Sequence, residues 1–184
     1  MENRLIAVRL SAQQLSDPRF DDPRALVRWM GAVQAQDYKA VRWAVGIRLR
    51  TASLRAVDRA LERGEILRTH VMRPTWHLVA AEDIRWMLRL SARRIRSANE
   101  SLAKGRQLEL TEQLHYRCDR LLEKMLGGNR NLTKQQIGEE LNRQGIAADT
   151  PRLTRLLMRA ETEAVVCSGP FSGGKQTYAL LEER

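Results

Sequence analysis

Cysteine, aromatic residues and long apolar runs are all scarce in this 184-residue sequence. The two cysteines, Cys118 and Cys167, stand alone without CxxC or metal-ligand spacing, as suits a reducing compartment. No stretch of 18 apolar residues occurs, so no segment is predicted to span a membrane. The N-terminal segment MENRLIAVRLSAQQL lacks the apolar core and cleavage site of an export signal. We therefore expect a cytoplasmic protein.

Motifs for cofactors and activated nucleophiles are missing as well. There is no P-loop and no GxGxxG, and no Ser-His-Asp or Cys-His arrangement stands out. The paired carboxylates at 21–22, 82–83 and 139–140 lie at helix starts or on exposed faces, where capping and surface charge explain them. We expect no cofactor and no metal.

Positive charge is what the sequence has in excess. The formal net charge is +10, and residues 1–95 carry 18 basic against 10 acidic residues, which gives +8 and leaves +2 for residues 96–184. A basic half favours a polyanionic partner, and we expect double-stranded DNA. An alternative explanation stays open, because 27 of the 32 basic residues are arginine, as a GC-rich genome also produces.

The first half of the chain contains three short amphipathic helices followed by two β-branched segments. Residues 26–33, 38–49 and 54–63 have apolar residues at helical spacing, and Asp22, Asp37 and Ser53 are the predicted N-caps. The segments EILRTHV and TWHLVA are typical of a hairpin. This is the element order of a winged helix, and we assign the first unit to residues 1–96, including a fourth helix that ends near its last arginines.

The second half repeats this plan. Residues 97–110 are polar with weak periodicity, and we expect them to connect the halves. In 111–184 three helical segments, one with capping-box spacing between Thr133 and Gln136, precede AVVCSG and TYALLE around a turn-forming loop. The predicted fold is mainly α with small β-hairpins, in tandem winged helix-turn-helix units. This order also occurs in modules that bind only proteins, so it does not give the function.

The third helix of each unit is the candidate for contact with DNA, because its arginines recur at helical spacing on one face. The alternative for both helices is a solvated face opposite the core leucines. The alternative for Lys175, which follows in the second hairpin, is a free surface side chain. The candidate DNA-binding residues are Arg55, Arg59, Arg63, Arg152, Arg155, Arg159 and, at the tip of the second wing, Lys175.

Two histidines lie in the first hairpin. A turn centred between Arg73 and Pro74 would place His70 opposite His77. Two histidines are too few for a zinc site, which normally has three or four protein ligands. A histidine here would either contact a phosphate or support an active site, or it would be a half-buried strand residue.

Gln34 and Gln36 flank Ala35 at the junction of two predicted helices. Helical residues two apart point about 200° away from each other, so these side chains converge only if the backbone leaves helical geometry. The predicted cap at Asp37 implies such a break. A pair of neutral amides can orient a water molecule and stabilise developing positive charge through its carbonyl dipoles. Alternatively, the amides satisfy loose backbone groups at the junction.

Three segments together resemble the AlkZ-like winged-helix DNA-binding family: AVQAQDY (32–38), WAVGIRL (43–49) and GEILRTHVMRPTWHLVAAEDIRWML (64–88). The best-understood members of that family are DNA glycosylases that excise N7-alkylated purines and unhook interstrand crosslinks. The resemblance implies that Gln34 and Gln36 are catalytic residues that position the hydrolytic water and stabilise the oxocarbenium-like sugar. It also implies active-site support by Arg73, Thr75 and His77, although Pro74 stands where the family pattern has glycine.

The resemblance covers only the N-terminal portion of the family architecture, which continues with a third winged unit and a small β-barrel. We therefore expect either a piece of a longer protein or a natural short form. The implied function is a monofunctional DNA glycosylase, a hydrolase of DNA repair. The alternatives are a non-catalytic winged-helix DNA-binding module, such as a transcriptional regulator, and a packing or assembly domain.

Overall fold

The computed structural model describes residues 2–184, and this part of the chain is mainly helical with two small antiparallel sheets. The helices of the first half are α1 (Glu2–Ala12), α2 (Pro23–Met30), α3 (Tyr38–Gly46), α4 (Leu54–Glu62) and α5 (Ile84–Gly105). Those of the second half are α6 (Glu112–Leu126), α7 (Lys134–Arg143) and α8 (Thr150–Thr162). None of these helices is long and apolar enough to cross a membrane.

Each sheet has three strands, with the last strand in sequence at its centre. The first sheet contains β1 (Val33–Gln34), β2 (Ile66–His70) and β3 (Trp76–Ala80) in the order β1-β3-β2. The second contains β4 (Leu132–Thr133), β5 (Val166–Ser168) and β6 (Thr177–Leu180) in the order β4-β6-β5. The two predicted hairpins are present, and each gains a two-residue strand that the sequence did not reveal.

Short polar side chains begin the helices of the first half, as predicted. Asp22, Asp37 and Ser53 each accept a hydrogen bond from the backbone N–H three residues further on, at 2.9, 2.9 and 3.1 Å. In the second half Thr133 and Gln136 form the expected capping box at the start of α7. These local signals determine where α2, α3, α4 and α7 start.

Helix α5 continues to Gly105, well beyond the end near residue 96 that its last arginines suggested. Most of the connecting segment 97–110 is therefore helical. Its periodicity is weak because the buried positions are Asn99 and Ala103, which are not large apolar residues. The side chain of Asn99 donates to the carbonyl oxygen of Arg155 at 3.0 Å, so this part of α5 is attached to α8.

Three clusters of buried side chains hold the chain together. The first half has its own core, and so does the second. The first includes Leu26, Val41, Val45, Leu49, Val57, Ile66 and Leu78, and the second includes Leu122, Leu126, Ile137, Leu141, Leu153, Leu156 and Val166. A third cluster packs Leu67 and Val79 of the first sheet and Leu88 of α5 against Cys167 of β5. The two halves therefore share an apolar interface.

The first hairpin differs from the sequence prediction by one residue in register. His70 pairs with Trp76, and His77 pairs with Thr69, so the predicted pairing of the two histidines is wrong. The loop has five residues, Val71–Thr75, and Met72 adopts a φ of 63°. Since neighbouring residues of a strand point to opposite faces, this shift places the two histidine side chains on opposite faces of the sheet.

Candidate functional site

The segment between α2 and α3 leaves helical geometry, as the cap at Asp37 predicted. Helix α2 ends at Met30, and the capping residue Gly31 has a φ of 77°, which suits a residue without a Cβ atom. Strand β1 begins two residues later, at Val33. Ala35 is fully buried, whereas Gln34 and Gln36 are exposed. Gln34 is the last residue of β1 and lies in the row of His77, whereas Gln36 follows at a bend and lies near His70 and Trp76. The two exposed glutamines thus flank the buried alanine.

Neighbouring strands fix the backbone around the glutamines. The N–H of Ala35 donates to the carbonyl oxygen of Trp76 at 2.7 Å. The guanidinium of Arg68 donates to the carbonyl oxygen of Ala35 from Nε and Nη2, and to that of Gln36 from Nη2 at 3.2 Å. The side chain of Gln36 also accepts a long hydrogen bond, 3.4 Å, from the N–H of Trp76. Both glutamines therefore project from a backbone with little freedom.

Gln34 shares one row of the sheet with two buried polar residues. It pairs with His77, which pairs in turn with Thr69, and directly paired residues point to the same face. Nδ1 of His77 lies 2.9 Å from the carbonyl oxygen of Thr75, which can only accept, so Nδ1 is the donor. Burial lowers the pKa of His77, and the charge of Arg73 acts in the same direction. A neutral His77 keeps a lone pair on Nε2.

The other two residues of the hairpin motif lie in the loop. Arg73 is exposed. The hydroxyl oxygen of Thr75 is buried and has no hydrogen-bond partner among residues 2–184. The structure thus brings Thr75 and His77 together beside Gln34, with Arg73 at the outer end of the loop.

The candidate DNA-binding arginines of α4 are all exposed. Arg55, Arg59 and Arg63 lie on the face opposite the buried Val57 and Ala60. Arg63 has a weak ion pair with Glu65 at 3.7 Å. This helix has the free basic face that contact with phosphates requires.

The corresponding arginines of α8 are placed differently. Helix α8 packs on α5, α6 and the first sheet, and seven of its thirteen residues are buried. Arg152 pairs with Asp149 at 3.7 Å, whereas Arg159 pairs with Glu112 at 3.0 Å and Glu163 at 2.8 Å. Arg155 is half-buried beside α5, and Lys175 is exposed in the loop between β5 and β6. The structure does not bring the three arginines of α8 and Lys175 together on one open surface.

Several residues that sequence reasoning did not single out connect the site to the second half. The carboxylate of Glu161 accepts from Nδ1 of His70 at 2.5 Å, and both side chains are buried. Arg68 also bonds to the side chain of Gln176, and its guanidinium lies 4.5 Å from the ring centroid of Trp76. One signal was available: Arg68 is a charged residue in the middle of a predicted strand, ILRTH.

Tyr38, two residues after Gln36, makes another contact between the halves. Its ring stacks on that of Phe171 in the loop between β5 and β6, with centroids 3.7 Å apart and planes at 11°. This loop therefore lies close to the glutamine segment.

Comparison with known proteins gives the family. The model of the family described as "DNA glycosylase AlkZ-like" matches residues 27–184. No curated protein matches the chain. Among solved structures, the Streptomyces sahachiroi DNA glycosylase AlkZ matches with a TM-score of 0.75 and 22% sequence identity. That match covers 94% of this chain and 47% of the AlkZ chain, so this chain spans about half the length of its structural relative. Because the family model matches most of its residues, the chain belongs to the AlkZ-like DNA glycosylase family.

Proposed function

We propose that this chain binds double-stranded DNA and acts in DNA repair as a monofunctional glycosylase. Its reaction would be hydrolysis of the N-glycosidic bond of N7-alkylated or crosslinked purines. The observation that carries the proposal is the pair of exposed amides, Gln34 and Gln36, that flank the buried Ala35. Their backbone is held by Arg68 and Trp76, as a preorganised site requires.

The proposed architecture is a tandem pair of winged helix-turn-helix units, residues 1–96 and 111–184, joined through 97–110. Each half has two helices separated by a two-residue strand, then a third helix, then two antiparallel strands. The similarity of the two sheets, β1-β3-β2 and β4-β6-β5, supports a repeated unit. In this arrangement α4 and α8 are the third helices of their units.

Neutral amides suit this reaction because the leaving group is already activated. An N7-alkylated purine is cationic, so the electron pair of the C1′–N9 bond neutralises the base as the bond breaks. Water attacks C1′ and loses one proton to solvent, and the products are the free neutral base and an abasic site. The carbonyl oxygens of Gln34 and Gln36 orient the water and stabilise the positive charge on the sugar.

The hairpin residues have supporting roles in this scheme. Neutral His77, in the same row as Gln34, offers the Nε2 lone pair as a hydrogen-bond acceptor close to the amides. Thr75 orients that imidazole through its carbonyl oxygen. Arg73, exposed at the loop, is available to a phosphate of the bound strand.

DNA contact by α4 rests on its exposed arginine face, Arg55, Arg59 and Arg63, in the more basic half of the chain. Lys175 in the second wing is a further exposed candidate. The positive electrostatic potential would also include contributions from Arg152, Arg155 and Arg159. The ion pairs of Arg159 reduce its contribution. Neutralising several phosphates makes affinity fall steeply with salt.

Release of base from a defined duplex tests the proposal. The chain is incubated with a duplex that contains N7-methylguanine, and free N7-methylguanine is measured by chromatography against the unmodified duplex. Spontaneous loss from the modified duplex without protein sets the background. Enzymatic release that depends on Gln34 and Gln36 supports a glycosylase. Tight, salt-dependent DNA binding without release would instead favour a non-catalytic DNA-binding module.

A further inference from the structure

A cavity of about 400 Å³ lies between the two halves of the chain, beside Gln36. Trp76 of the first sheet lines one side of it. Lys134 of α7, together with Thr154 and Arg155 of α8, lines the other. This volume lies in the range of pockets that hold small ligand groups. The cavity therefore places basic residues of the second half next to the proposed catalytic segment of the first.

The two basic residues of the cavity have no acidic partner among the side chains that the structure describes, those of residues 4–184. Nζ of Lys134 donates to the neutral hydroxyl oxygen of Thr154 at 2.5 Å. Nη1 of Arg155 is buried and has no hydrogen-bond partner within the same residues. On the same helix, Arg152 and Arg159 both pair with carboxylates. Among the arginines of α8, Arg155 is thus the one without an ion pair to a described side chain.

The carboxylate that lines the cavity does not neutralise these charges by an ion pair. Glu161 is fully buried, and its Oε2 is hydrogen-bonded to Nδ1 of His70 at 2.5 Å. A group that enters the cavity meets the ammonium of Lys134 and the guanidinium of Arg155 as its charged donors. An anion with several acceptor oxygens would satisfy both.

Two neighbouring positive charges in the cavity are energetically unfavourable in the protein without a bound ligand. Burial lowers the pKa of Lys134, and the nearby charge of Arg155 lowers it further. Burial also lowers the pKa of Arg155, with an added effect from Arg106. Lys134 is the first residue of α7, where the helix dipole adds partial positive charge. A bound anion would relieve this unfavourable concentration of positive charge.

We propose that Lys134 and Arg155 bind a phosphodiester group of duplex DNA in this cavity and so position the neighbouring nucleotide at Gln36. The inference rests on the proposed DNA binding and adds a specific phosphate contact between the two halves. It gives the second half a direct part in positioning the substrate. A phosphate at this point links recognition of the DNA backbone to the catalytic segment.

The salt dependence of binding to an undamaged duplex tests the contact without requiring glycosylase activity. Lys134→Gln and Arg155→Gln are compared with wild type and with Arg143→Gln, which removes one exposed charge of α7 that is paired with Glu140. Each cavity variant should reduce the magnitude of the slope of log K against log salt by about 0.9. Arg143→Gln should leave the slope unchanged. Wild-type slopes in both cavity variants would overturn the proposal.

A series of duplexes with a single neutral methylphosphonate locates the contact. In a duplex with one N7-methylguanine, wild-type protein should lose affinity when the linkage next to that nucleotide is replaced, and Lys134→Gln should lose little more from that replacement. Equal losses in both proteins would overturn the assignment. If Arg155→Gln fails to fold, the comparison with Lys134→Gln, whose side chain is half-buried, still decides.

A test with inorganic phosphate distinguishes the two possible sources of a phosphate group in the cavity, duplex DNA and free phosphate. If the cavity binds a phosphate of the duplex, the cavity variants should have the reduced slope of log K against log salt. A thermal stabilisation by inorganic phosphate that Lys134→Gln abolishes, together with an unchanged slope for duplex DNA, would assign the cavity to free phosphate and overturn DNA binding there. Since the salt slope is measured on undamaged DNA, failure of base release alone leaves that result intact.

Discussion

Arg68 holds the carbonyl oxygen of Ala35 with two guanidinium nitrogens, Nε at 3.0 Å and Nη2 at 2.7 Å. Ala35 is the buried residue between the two exposed glutamines, so this bidentate contact fixes the backbone from which both project. The same guanidinium also reaches Gln36 and Gln176. One side chain of β2 therefore connects the glutamine segment to the second half of the chain.

Replacing Arg68 by methionine should destabilise the fold and abolish base release together. The carbonyl oxygen of Ala35 would be left buried without a donor, and we expect the free energy of unfolding to fall by about 3 kcal/mol. Arg68→Lys should be intermediate, since an ammonium cannot donate in the same bidentate geometry. Urea denaturation measures the change.

The control for that experiment is Arg143→Met, which removes an exposed arginine paired only with Glu140. Its effect should stay below about 0.5 kcal/mol. Equal stability of the Arg68 and Arg143 variants would show that the bidentate contact is not needed to hold Ala35.

Gln34→Ala and Gln36→Ala should separate activity from stability. Both side chains are exposed, so each change should alter the free energy of unfolding by less than about 0.5 kcal/mol. Release of N7-methylguanine should fall by roughly 10²-fold or more, as when one preorganised dipole at a developing charge is removed. Gln135→Ala, at an exposed glutamine of α7, is the matched control and should retain activity. A large loss of stability would support a structural role for the pair.

The parts of the fold that depend on local signals could be predicted from the sequence. The caps at Asp37 and Thr133 give helix starts because each involves residues within one turn. Strands β1 and β4 were missed because two residues carry no periodicity. The predicted hairpin register was wrong because the register depends on whether the loop has an even or an odd number of residues. Met72, at positive φ, helps to set that number.

The candidate site was predictable only in part, for a different reason. The position of Gln34 and Gln36 outside a helix followed from the cap at Asp37. The contact of Arg68 with Ala35 joins residues 33 apart in sequence, and that of His70 with Glu161 joins residues 91 apart. No local pattern encodes such partners, because they meet only when the two halves pack together.

The stacked pair Tyr38 and Phe171 should contribute directly to the contact between the halves. Their stacked geometry, with centroids 3.7 Å apart, predicts a coupling free energy of about 1 kcal/mol. A double-mutant cycle with Tyr38→Ala, Phe171→Ala and the double variant, followed by urea denaturation, measures it. Additive effects of the two single changes would mean that the rings do not stabilise each other.

The stability of the chain should depend on pH through Asp119 of α6. Burial raises its pKa to about 6 and nearby Glu163 acts in the same direction, whereas the charge of Arg159 opposes the shift. A folded-state pKa above the ordinary value of 3.8 means that the folded protein binds this proton more tightly than the unfolded chain. The resulting stabilisation is complete below about pH 4 and is lost as the pH rises through about 6.

Asp119→Asn removes this dependence because an amide stays neutral at every pH. The variant should match wild type near pH 4 and exceed it by about 1 kcal/mol at pH 8, a figure reduced to allow for solvent screening of the partly exposed carboxyl group. Urea denaturation at pH 4, 6 and 8 measures the difference. Equal stabilities at pH 8 would contradict the raised pKa, since they would mean that ionising Asp119 costs the folded protein nothing.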